Sequence, residues 1–494
     1  MLEGLEVSEV SKKVINEDNE EFRLDADYYK KEYINLYNLI DDGEHLANIA
    51  SMSDLSSNAS FATVSGIVHD NNPKVIPFIR SGNVGNTFIN LNGLEYISKE
   101  AHEQLNKSIT KLYDVMMARK GKIGGASIIM ESEVNFNCNE NVIKLTLNDK
   151  KSINPFYFTV FFNSKFGIKQ VERLSTGNVQ PWVPISQLRK LYFKNASIPI
   201  QNSIEKVILN SYDYLSNSQY LYTEAENILL EELGLNNWQP TIKNNNTKTL
   251  KESFLSSGRI DAEYYQPKYD EIEEKIINYK GGFDQVKNIC NLKTQNFQPQ
   301  DDVIYNYIEL ANIGSNGVIK DVTLNEGKDL PSRARRIVKT NDVIVSSVEG
   351  SLASCAIIPK EFNNAICSTG FYVINSKNIN SETLLLLFKT AVIHLMEKGC
   401  SGTILTAINN EEFFKIPLPT IDENIQKTIS DKIQQSFALQ SKSKQLLEAA
   451  KKAVEMAIEQ NEEMAMDYLK VIETNIEYAT TKSTPSYAHF SELQ

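Results

Sequence analysis

The chain has 494 residues, with 51 Lys and Arg against 63 Asp and Glu, which gives a formal net charge of −12. Apolar residues make up 41% of it, an ordinary share for a folded protein, and the length predicts about two to four domains. No run approaches the ~20 consecutive apolar residues of a membrane span, and the acidic N-terminus has no apolar signal core, so the sequence predicts neither a membrane protein nor an exported one.

The five cysteines are odd in number, and none forms a Cys-x-x-Cys pair. This usage argues against a disulfide framework or a structural zinc site, and it is typical of proteins in a reducing compartment. We therefore expect a cytoplasmic protein.

An internal repeat organises the chain. The motif Arg23-Leu-Asp-Ala-Asp-Tyr-Tyr29 returns as Arg259-Ile-Asp-Ala-Glu-Tyr-Tyr265, and each copy runs on into a helical pattern. Four further pairs follow in the same order: Pro77–Val84 with Asn306–Ile313, Asp114–Ile129 with Asp342–Ile358, Leu174–Gly177 with Cys400–Gly402, and Ser197–Ile200 with Lys415–Pro419. Five matches in register indicate a duplication within the gene.

The main part of each copy consists of short β-branched and aromatic runs separated by Gly, Asn and Pro, as in residues 75–93 and 141–148. Such runs and turn residues predict an α+β domain built on a twisted sheet. The expected fold class is therefore α+β, with two pseudo-symmetric domains of twisted sheets and helices that are separated by two long helices.

A helical pattern follows the Ile-Pro motif of each copy. Apolar residues recur mostly at spacings of three, four or seven from Ile204 to Leu233 and from Ile425 to Ile458, and Gly234 ends the first run as a C-terminal glycine would. Some thirty residues at ~1.5 Å each make a helix of about 45 to 50 Å. We expect the two helices to pack together as an antiparallel coiled coil; the alternative is that each packs on its own domain.

Charge is distributed unevenly along the chain. Residues 45–200 carry 17 Lys and Arg against 11 Asp and Glu, whereas residues 283–420 carry 13 against 14. The first segment is basic enough for phosphate contact, and the second contains the basic run Ser332–Lys339. A basic run is often only a solvated surface, but its position between two sheet-like segments of a duplicated domain favours contact with nucleic acid.

The sequence lacks the common catalytic motifs. It has no Gly-x-x-x-x-Gly-Lys-[Ser/Thr] phosphate loop, no Gly-x-Ser-x-Gly elbow and no histidine pair at metal-ligand spacing. Asn154-Pro-Phe156 lacks the second proline of an amino-methyltransferase loop, and Gly121–Gly125 is more typical of a tight turn. We therefore predict a non-catalytic chain without a metal or cofactor of its own.

Two α+β bodies, each opened by Arg-[Leu/Ile]-Asp-Ala-[Asp/Glu]-Tyr-Tyr and followed by a long helix, resemble a type I restriction-modification specificity subunit. The resemblance covers about residues 1 to 465. Further segments that are similar to the family's motifs are Asp114–Gly124, Ile153–Phe158, Phe162–Gly167, Leu174–Gln180, Cys400–Thr403, Leu191–Ile200 and Phe414–Pro419.

The resemblance implies that the two bodies are target-recognition domains, each of which reads one half of a bipartite site in double-stranded DNA. The antiparallel helices would space the domains and bind two methyltransferase subunits, which use S-adenosylmethionine to methylate adenine. Restriction or translocase subunits that use ATP and Mg can join such complexes. All catalysis would then lie in the partner subunits.

The resemblance divides the chain into seven segments. Residues 1–44 would be an N-terminal segment and short helix that completes a ring, 45–200 the first target-recognition domain, 201–235 the central spacer helix, 236–282 a linker that repeats the N-terminal helix motif, 283–420 the second target-recognition domain, 421–465 the distal spacer helix and 466–494 a C-terminal tail. Asp25 and Asp261 are expected to cap the helices that follow them, and the tyrosine pairs beside them to pack at the junction.

Recognition loops should direct hydrogen-bonding side chains to base edges and cations to phosphates. In the first domain the predicted DNA-binding residues are Arg80, Asn83, Arg119, Lys120, Lys122, Arg173, Thr176, Asn178, Gln180 and Trp182. In the second they are Asn312, Arg333, Arg335, Arg336, Ser347, Glu349, Thr403 and Thr406.

Three of these residues have an alternative interpretation. Asn83 would be structural within its turn, and Trp182, between two prolines, would be a packing residue. Glu349, aligned by sequence with Lys120, would accept a hydrogen bond from a cytosine amino group or be a solvated turn residue.

Two other functions stay open at this point. A single-chain nuclease or methyltransferase with a duplicated recognition module would cut DNA or bind S-adenosylmethionine by itself. A scaffold that does not contact DNA would show no salt-dependent DNA binding.

Overall fold

The computed structural model describes residues 8–11, 15, 23–121, 123–177, 181–243, 245–320, 322–401 and 406–483. The chain divides into two compact units: residues 1–214 with 441–494 form the first unit, and residues 215–440 form the second. Among the described residues, no helix is both long enough and apolar enough to cross a membrane.

The α-helices, in chain order, are α1 (Lys31–Tyr37), α2 (Leu46–Ile49), α3 (Phe61–Val68), α4 (Lys99–Gln104), α5 (Pro155–Asn163), α6 (Lys165–Leu174), α7 (Ile185–Leu188), α8 (Ile198–Glu232), α9 (Phe254–Ser257), α10 (Pro267–Ile277), α11 (Val286–Ile289), α12 (Ser381–Lys389), α13 (Ala391–Gly399), α14 (Asn410–Lys415), α15 (Glu423–Glu459) and α16 (Glu462–Ser483).

The strands of the first unit are β1 (Glu44–His45), β2 (Ala50–Ser53), β3 (Lys74–Ile79), β4 (Thr87–Phe88), β5 (Glu95–Ser98), β6 (Val115–Ala118), β7 (Ala126–Ile128), β8 (Asn137–Cys138), β9 (Val142–Leu147) and β10 (Tyr192–Phe193). Those of the second unit are β11 (Phe283–Gln285), β12 (Cys290–Leu292), β13 (Ile304–Ile308), β14 (Thr323–Glu326), β15 (Ala334–Ile337), β16 (Val343–Ser346), β17 (Cys355–Ile357), β18 (Ile366–Ser368), β19 (Phe371–Ser376), β20 (Cys400–Ser401), β21 (Ala407–Ile408) and β22 (Pro417–Pro419).

The first unit is built on two sheets. A five-stranded sheet has the order β2-β9-β6-β7-β4, and a three-stranded sheet has the order β5-β3-β8. All four residues of the central strand β6 are buried, and so is the whole of α5. Asn154 starts α5 because its Oδ1 accepts a hydrogen bond from Phe156 N at 2.9 Å, and Pro155 occupies the first helical position, where its missing N–H costs nothing.

The second unit repeats this plan with a different outer sheet. One four-stranded sheet has the order β12-β19-β16-β17, and another has the order β14-β13-β18-β15. Helix α12 takes the place of α5, and its cap Asn380 accepts a hydrogen bond from Thr383 N at 2.9 Å. The predicted pair of α+β domains with the same internal plan is confirmed.

The two long helices are close to their predicted positions: α8 spans Ile198–Glu232 and α15 spans Glu423–Glu459. In the first unit the hydroxyls of Ser211 and Ser443 are 2.9 Å apart. In the second unit Ser218 meets Ser436 at 3.0 Å, and Glu224 meets Lys432 at 3.3 Å. In the second unit residue numbers rise along one helix as they fall along the other, and the predicted antiparallel packing of the helices is confirmed.

A buried glutamine attaches each long helix to its domain. Gln201 accepts a hydrogen bond from Asn154 N at 2.7 Å, and it donates to the carbonyls of Ser152 and Ala196 at 3.2 and 2.8 Å. Gln426 repeats these three bonds with Asn380 N and the carbonyls of Asn378 and Ile421. The same amide therefore ties the first turn of each helix to the turn that starts α5 or α12.

The segment predicted to be a C-terminal tail begins inside a helix. α16 packs in the first unit, where Ala465 and Leu469 are buried and Glu473 pairs with Lys206 at 3.1 Å. Glu462 accepts a hydrogen bond from Ser197 N at 2.8 Å, just before α8. Residues 466–483 are thus part of the first unit.

We predict that Gln201→Leu destabilises the first unit by about 2 to 4 kcal/mol, because the substitution removes all three hydrogen bonds of a buried amide and takes this partner away from Asn154 N and the Ala196 carbonyl. Denaturant unfolding followed by fluorescence should show a lower midpoint for one transition. Gln460→Leu, at an exposed position of the same unit, is the matched control and should leave that midpoint unchanged. Equal effects of the two substitutions would contradict the attachment role.

Candidate functional site

In the first unit, the two loops predicted to carry recognition residues lie side by side. Val183 N donates to the carbonyl of Arg119 at 2.8 Å, and Gly121 N donates to that of Pro181 at 3.1 Å. Thr176 and Trp182 exchange two backbone hydrogen bonds of 3.0 Å each. The glycine turn after β6 and the Ser-Thr-Gly loop after α6 therefore form one surface.

The second unit pairs the equivalent loops in the same way. Ile408 N donates to the carbonyl of Ser347 at 2.9 Å, and Glu349 N donates to that of Thr406 at 3.0 Å. The Ser347 hydroxyl is bonded inward, to the carbonyl of Gly370 at 2.9 Å. Each copy of the duplicated domain thus builds the same loop pair from residues distant in sequence.

The repeated Arg-[Leu/Ile]-Asp motif anchors the second loop of each pair. Arg23 donates to the carbonyls of Arg173 and Ser175, both at 3.1 Å, and pairs with Asp25 at 2.9 Å. Arg259 donates to the carbonyl of Cys400 at 3.2 Å and pairs with Asp261 at 2.6 Å. The hydrogen bond from each arginine lowers the pKa of its aspartate.

This anchoring role was missed by the sequence reasoning, although the motif's presence in both copies was a signal for it. The predicted capping is confirmed for Asp25, which accepts a hydrogen bond from Tyr28 N at 3.1 Å. The second tyrosine of each motif fastens the arginine's own backbone: Tyr29 donates to the carbonyl of Arg23 at 3.1 Å, and Tyr265 donates to that of Arg259 at 2.9 Å.

Three predicted residues of the first domain are exposed: Lys120 and Trp182 in the loop pair, and Arg80 in the turn after β3. Lys120 is exposed, and its backbone pairs with Trp182, whose exposed fraction is 42%. Arg80 is half-exposed and forms an ion pair with Glu95. Thr176 lies in the same pair of loops and is partly buried.

Two others have structural roles. Asn83 is buried and accepts a hydrogen bond from Arg80 N while it donates to the carbonyls of Asn90 and Asn92, so its structural alternative is the one that the contacts support. The Arg119 guanidinium is 3.0 Å from Asp54, a fully buried carboxylate. The contacts of Asn83 fix the turn after β3, and the ion pair of Arg119 with Asp54 fixes the end of β6.

Arg173 is the clearest departure from the prediction. Its guanidinium lies 4.2 Å above the ring of Tyr28 and 4.3 Å from that of Tyr37, and it donates to the carbonyl of Tyr28 at 3.0 Å. The side chain is 7% exposed, and burial raises the pKa of Tyr37 to about 12. Arg173 therefore joins α6 to the N-terminal helix, and the proposed DNA contact by this residue is not compatible with its buried position.

In the second domain, Arg333 precedes β15 and is 63% exposed, 3.6 Å from Glu309. Arg335 is the extra residue of a β-bulge, because Ala334 and Arg336 face consecutive residues of β18. Arg336 donates to Asn296 Oδ1 at 2.6 Å. Asn312 accepts a hydrogen bond from Glu309 N at 2.7 Å, as Asn83 does from Arg80 N.

Hydrogen bonding corrects the sequence alignment of Glu349. Lys120 forms a bridge with Trp182, and the equivalent bridge joins Val348 to Ala407. Glu349 therefore occupies the position of Gly121, one residue further on than predicted. Its side chain is exposed and is therefore accessible to a ligand.

Lys122, Asn178, Gln180 and Thr403 lie outside the described residues. Within the residues that are described, no group of three or more His, Cys, Asp or Glu side chains could hold a metal ion. Burial raises the pKa of Cys138, Cys290, Cys355 and Cys367 to about 12 and that of Cys400 to about 11, so these thiols stay protonated at neutral pH.

Comparison with known proteins gives a family match over most of the chain. Residues 50–232 and 283–451 each match the type I restriction modification DNA specificity domain. A search of curated protein sequences finds no match.

Solved structures with similarity over most of the chain include the type I restriction-modification S subunit from M. genitalium, 12% identical, with a TM-score of 0.38 and coverage of 90% of this chain and 96% of that one. The HsdS subunit from Thermoanaerobacter tengcongensis is 12% identical, with a TM-score of 0.26 and coverage of 85% and 96%.

We predict that Arg173→Met lowers the stability of the first unit by roughly 2 to 3 kcal/mol, because it removes two buried cation–π contacts and one hydrogen bond. DNA affinity at a temperature where the variant is folded should stay within about twofold of the unaltered chain, since the side chain is buried. Denaturant unfolding and DNA titration measure the two effects. An unchanged stability with weakened DNA binding would restore the original prediction.

Proposed function

The chain belongs to the family of the type I restriction-modification DNA specificity domain, of which it contains two copies, and we propose that each copy reads one half of a bipartite site in double-stranded DNA. The observation that carries this proposal is the loop pair repeated in each unit. Its backbone hydrogen bonds are equivalent in the two copies, whereas its side chains are not.

The differing side chains support two different half-sites. Trp182 is matched by Ala407 and Gly121 by Glu349, and Arg80 is matched by Glu309 in the turn after β3 or β13. Since hydrogen-bond donors, acceptors and apolar groups select different base edges, the same frame with different side chains reads different sequences.

We propose that the chemistry is supplied by other chains. Two methyltransferase subunits, which use S-adenosylmethionine to methylate adenine, would join this chain, and restriction or translocase subunits that use ATP and Mg can join in turn. The family assignment and the missing catalytic motifs support this division. A reader of two half-sites needs rigid modules, because the spacing between half-sites is then a geometric constant.

A single-chain methyltransferase or nuclease is the function that this proposal displaces. Calorimetry of the purified chain with S-adenosylmethionine, and incubation with plasmid DNA and Mg, test it directly. We expect no heat of binding and no cleavage. Saturable binding of the cofactor by this chain alone would overturn the proposal that catalysis lies in partner subunits.

We predict that Lys120→Met weakens DNA binding about tenfold near 0.1 M salt and lowers the slope of log affinity against log salt by about 1, because one phosphate contact is lost. Fluorescence anisotropy of the complex with its methyltransferase over a salt series measures both quantities. Lys470→Met removes an exposed lysine from α16 and should change neither. Equal slopes for the two variants would exclude Lys120 from the interface.

We predict that Trp182→Ala, which installs the residue found at the equivalent position of the second copy, alters one block of the methylated motif and leaves the other unchanged. Coexpression with the methyltransferase, followed by mapping of methylated adenines, gives both blocks at once. Tyr220→Ala, an exposed aromatic position on α8, is the control and should leave the motif intact. A change in both blocks would contradict the assignment of one half-site to each copy.

A further inference from the structure

Two layers of buried serine lie between α8 and α15. In the first unit the Ser211 hydroxyl is 2.9 Å from that of Ser443 and 3.1 Å from its carbonyl. In the second unit the Ser436 hydroxyl is 3.0 Å from that of Ser218 and 2.7 Å from its carbonyl. All four side chains are at most 2% exposed.

These serines occupy the central positions of a regular heptad seam. On α8 the seam alternates steps of four and three residues; on α15 it follows the same steps. The seam positions are Ile204, Ile208, Ser211, Leu215, Ser218, Tyr222, Ala225 and Leu229 on α8, and Ile429, Ile433, Ser436, Gln440, Ser443, Leu447, Ala450 and Val454 on α15. Each helix therefore carries its two serines seven residues apart, at equivalent places of the duplication.

A purely apolar heptad seam is degenerate, because sliding one helix by a heptad again places apolar residues opposite each other. The serine pairs remove this degeneracy. After a slide in one direction Ser211 meets Ser436, but Ser218 and Ser443 then face Ile429 and Ile204. After a slide in the other direction Ser218 meets Ser443, but Ser211 and Ser436 face Ala450 and Ala225.

Only the observed register pairs all four hydroxyls, and either slide leaves two of them buried against apolar side chains, which is unfavourable. Compared with alanine, the serine pairs add little to the free energy of unfolding, because a hydroxyl pair contributes no more than a good apolar contact of similar size. Their effect is to favour one helix register over the others, as single polar residues do in coiled-coil seams.

We propose that the two serine layers select the register of α8 against α15 and thereby set the number of base pairs that the chain accepts between its half-sites. The second part rests on the proposed function, whereas the first concerns this chain alone. A slide of one heptad moves one helix by ~10.5 Å along the other, which corresponds to about three base pairs at ~3.4 Å each.

Other contacts also bear on the register. In the first unit Lys165 N donates to Glu455 at 2.8 Å, and in the second Asn316 donates to Gln440 at 2.9 Å. Both contacts join α15 to a domain at positions that are partly exposed to water. The experiment must therefore separate selection by the serines from selection by these contacts.

Cysteine cross-linking reports the register without DNA. Ile208 and Leu446 are both buried and each lies three residues from a serine of the Ser211–Ser443 pair, so Ile208→Cys with Leu446→Cys marks the observed register. Ile208→Cys with Leu439→Cys, or with Ala453→Cys, marks a slide of one heptad in either direction. Each pair is built into the unaltered chain and into one with all four serines changed to alanine, and the parent without added cysteines controls for its own buried thiols.

We expect the serine chain to give only the product of the observed register. The four-alanine chain should give a slid product at a level at least about tenfold higher than the serine chain, because the slide no longer buries unpaired hydroxyls. A four-alanine chain that forms only the product of the observed register would overturn the proposal and assign the register to other contacts, such as those of Lys165 and Asn316 and the packing of α8 in the core of the second unit.

The same chains, without added cysteines, are then coexpressed with the methyltransferase and their methylated sites mapped. The four-alanine chain should accept sites whose gap differs by about three base pairs from the original, in addition to the original sites. Ser216→Ala with Ser441→Ala, at exposed positions of the same helices, should accept the original gap alone.

A single gap in the four-alanine chain, combined with a slid cross-link, would overturn the link between register and spacing. Failure of the proposed function gives a different pattern, since no variant, including the unaltered chain, would then direct methylation to a bipartite site while the cross-links form as expected.

Discussion

The structure depends on the buried contact between α8 and α15. An exposed apolar seam of this length would be costly in water, so each helix requires the other as a partner. The first turn of each helix is in turn fixed by Gln201 or Gln426, whose amide completes three hydrogen bonds with a domain. A change at the seam therefore acts on the domains through covalently continuous helices.

The duplication separates the frame of each domain from the residues that distinguish it. The frame consists of the arginine anchor at Arg23 or Arg259, the capped helix α5 or α12, and the backbone pairing of two loops. These contacts are made by backbone atoms or by side chains that recur in both copies. The exposed side chains on the loops, such as Trp182 and Glu349, form no part of the frame, so they can differ between copies without loss of the fold.

The sequence was sufficient for the features that repeat or are periodic: the duplication, the α+β class and the two long helices. It was insufficient where function depends on what surrounds a side chain. Arg173 and Lys120 are both cations close to a glycine turn, yet one is buried between tyrosines distant in sequence and the other is exposed. The alignment of Glu349 with Gly121 required the hydrogen bonds, because the repeated segments that contain the two loops differ in length by one residue.

Several buried polar groups restrict the interior to one packing arrangement, although they add little to the free energy of unfolding. The buried Asp54 requires Arg119, the seam serines require each other, and each glutamine amide requires three backbone partners. An apolar interior of similar volume would be at least as stable but would tolerate alternative packings, whereas these groups are all satisfied together only in the observed arrangement. Such a distribution suits a protein in which each recognition surface must keep one shape.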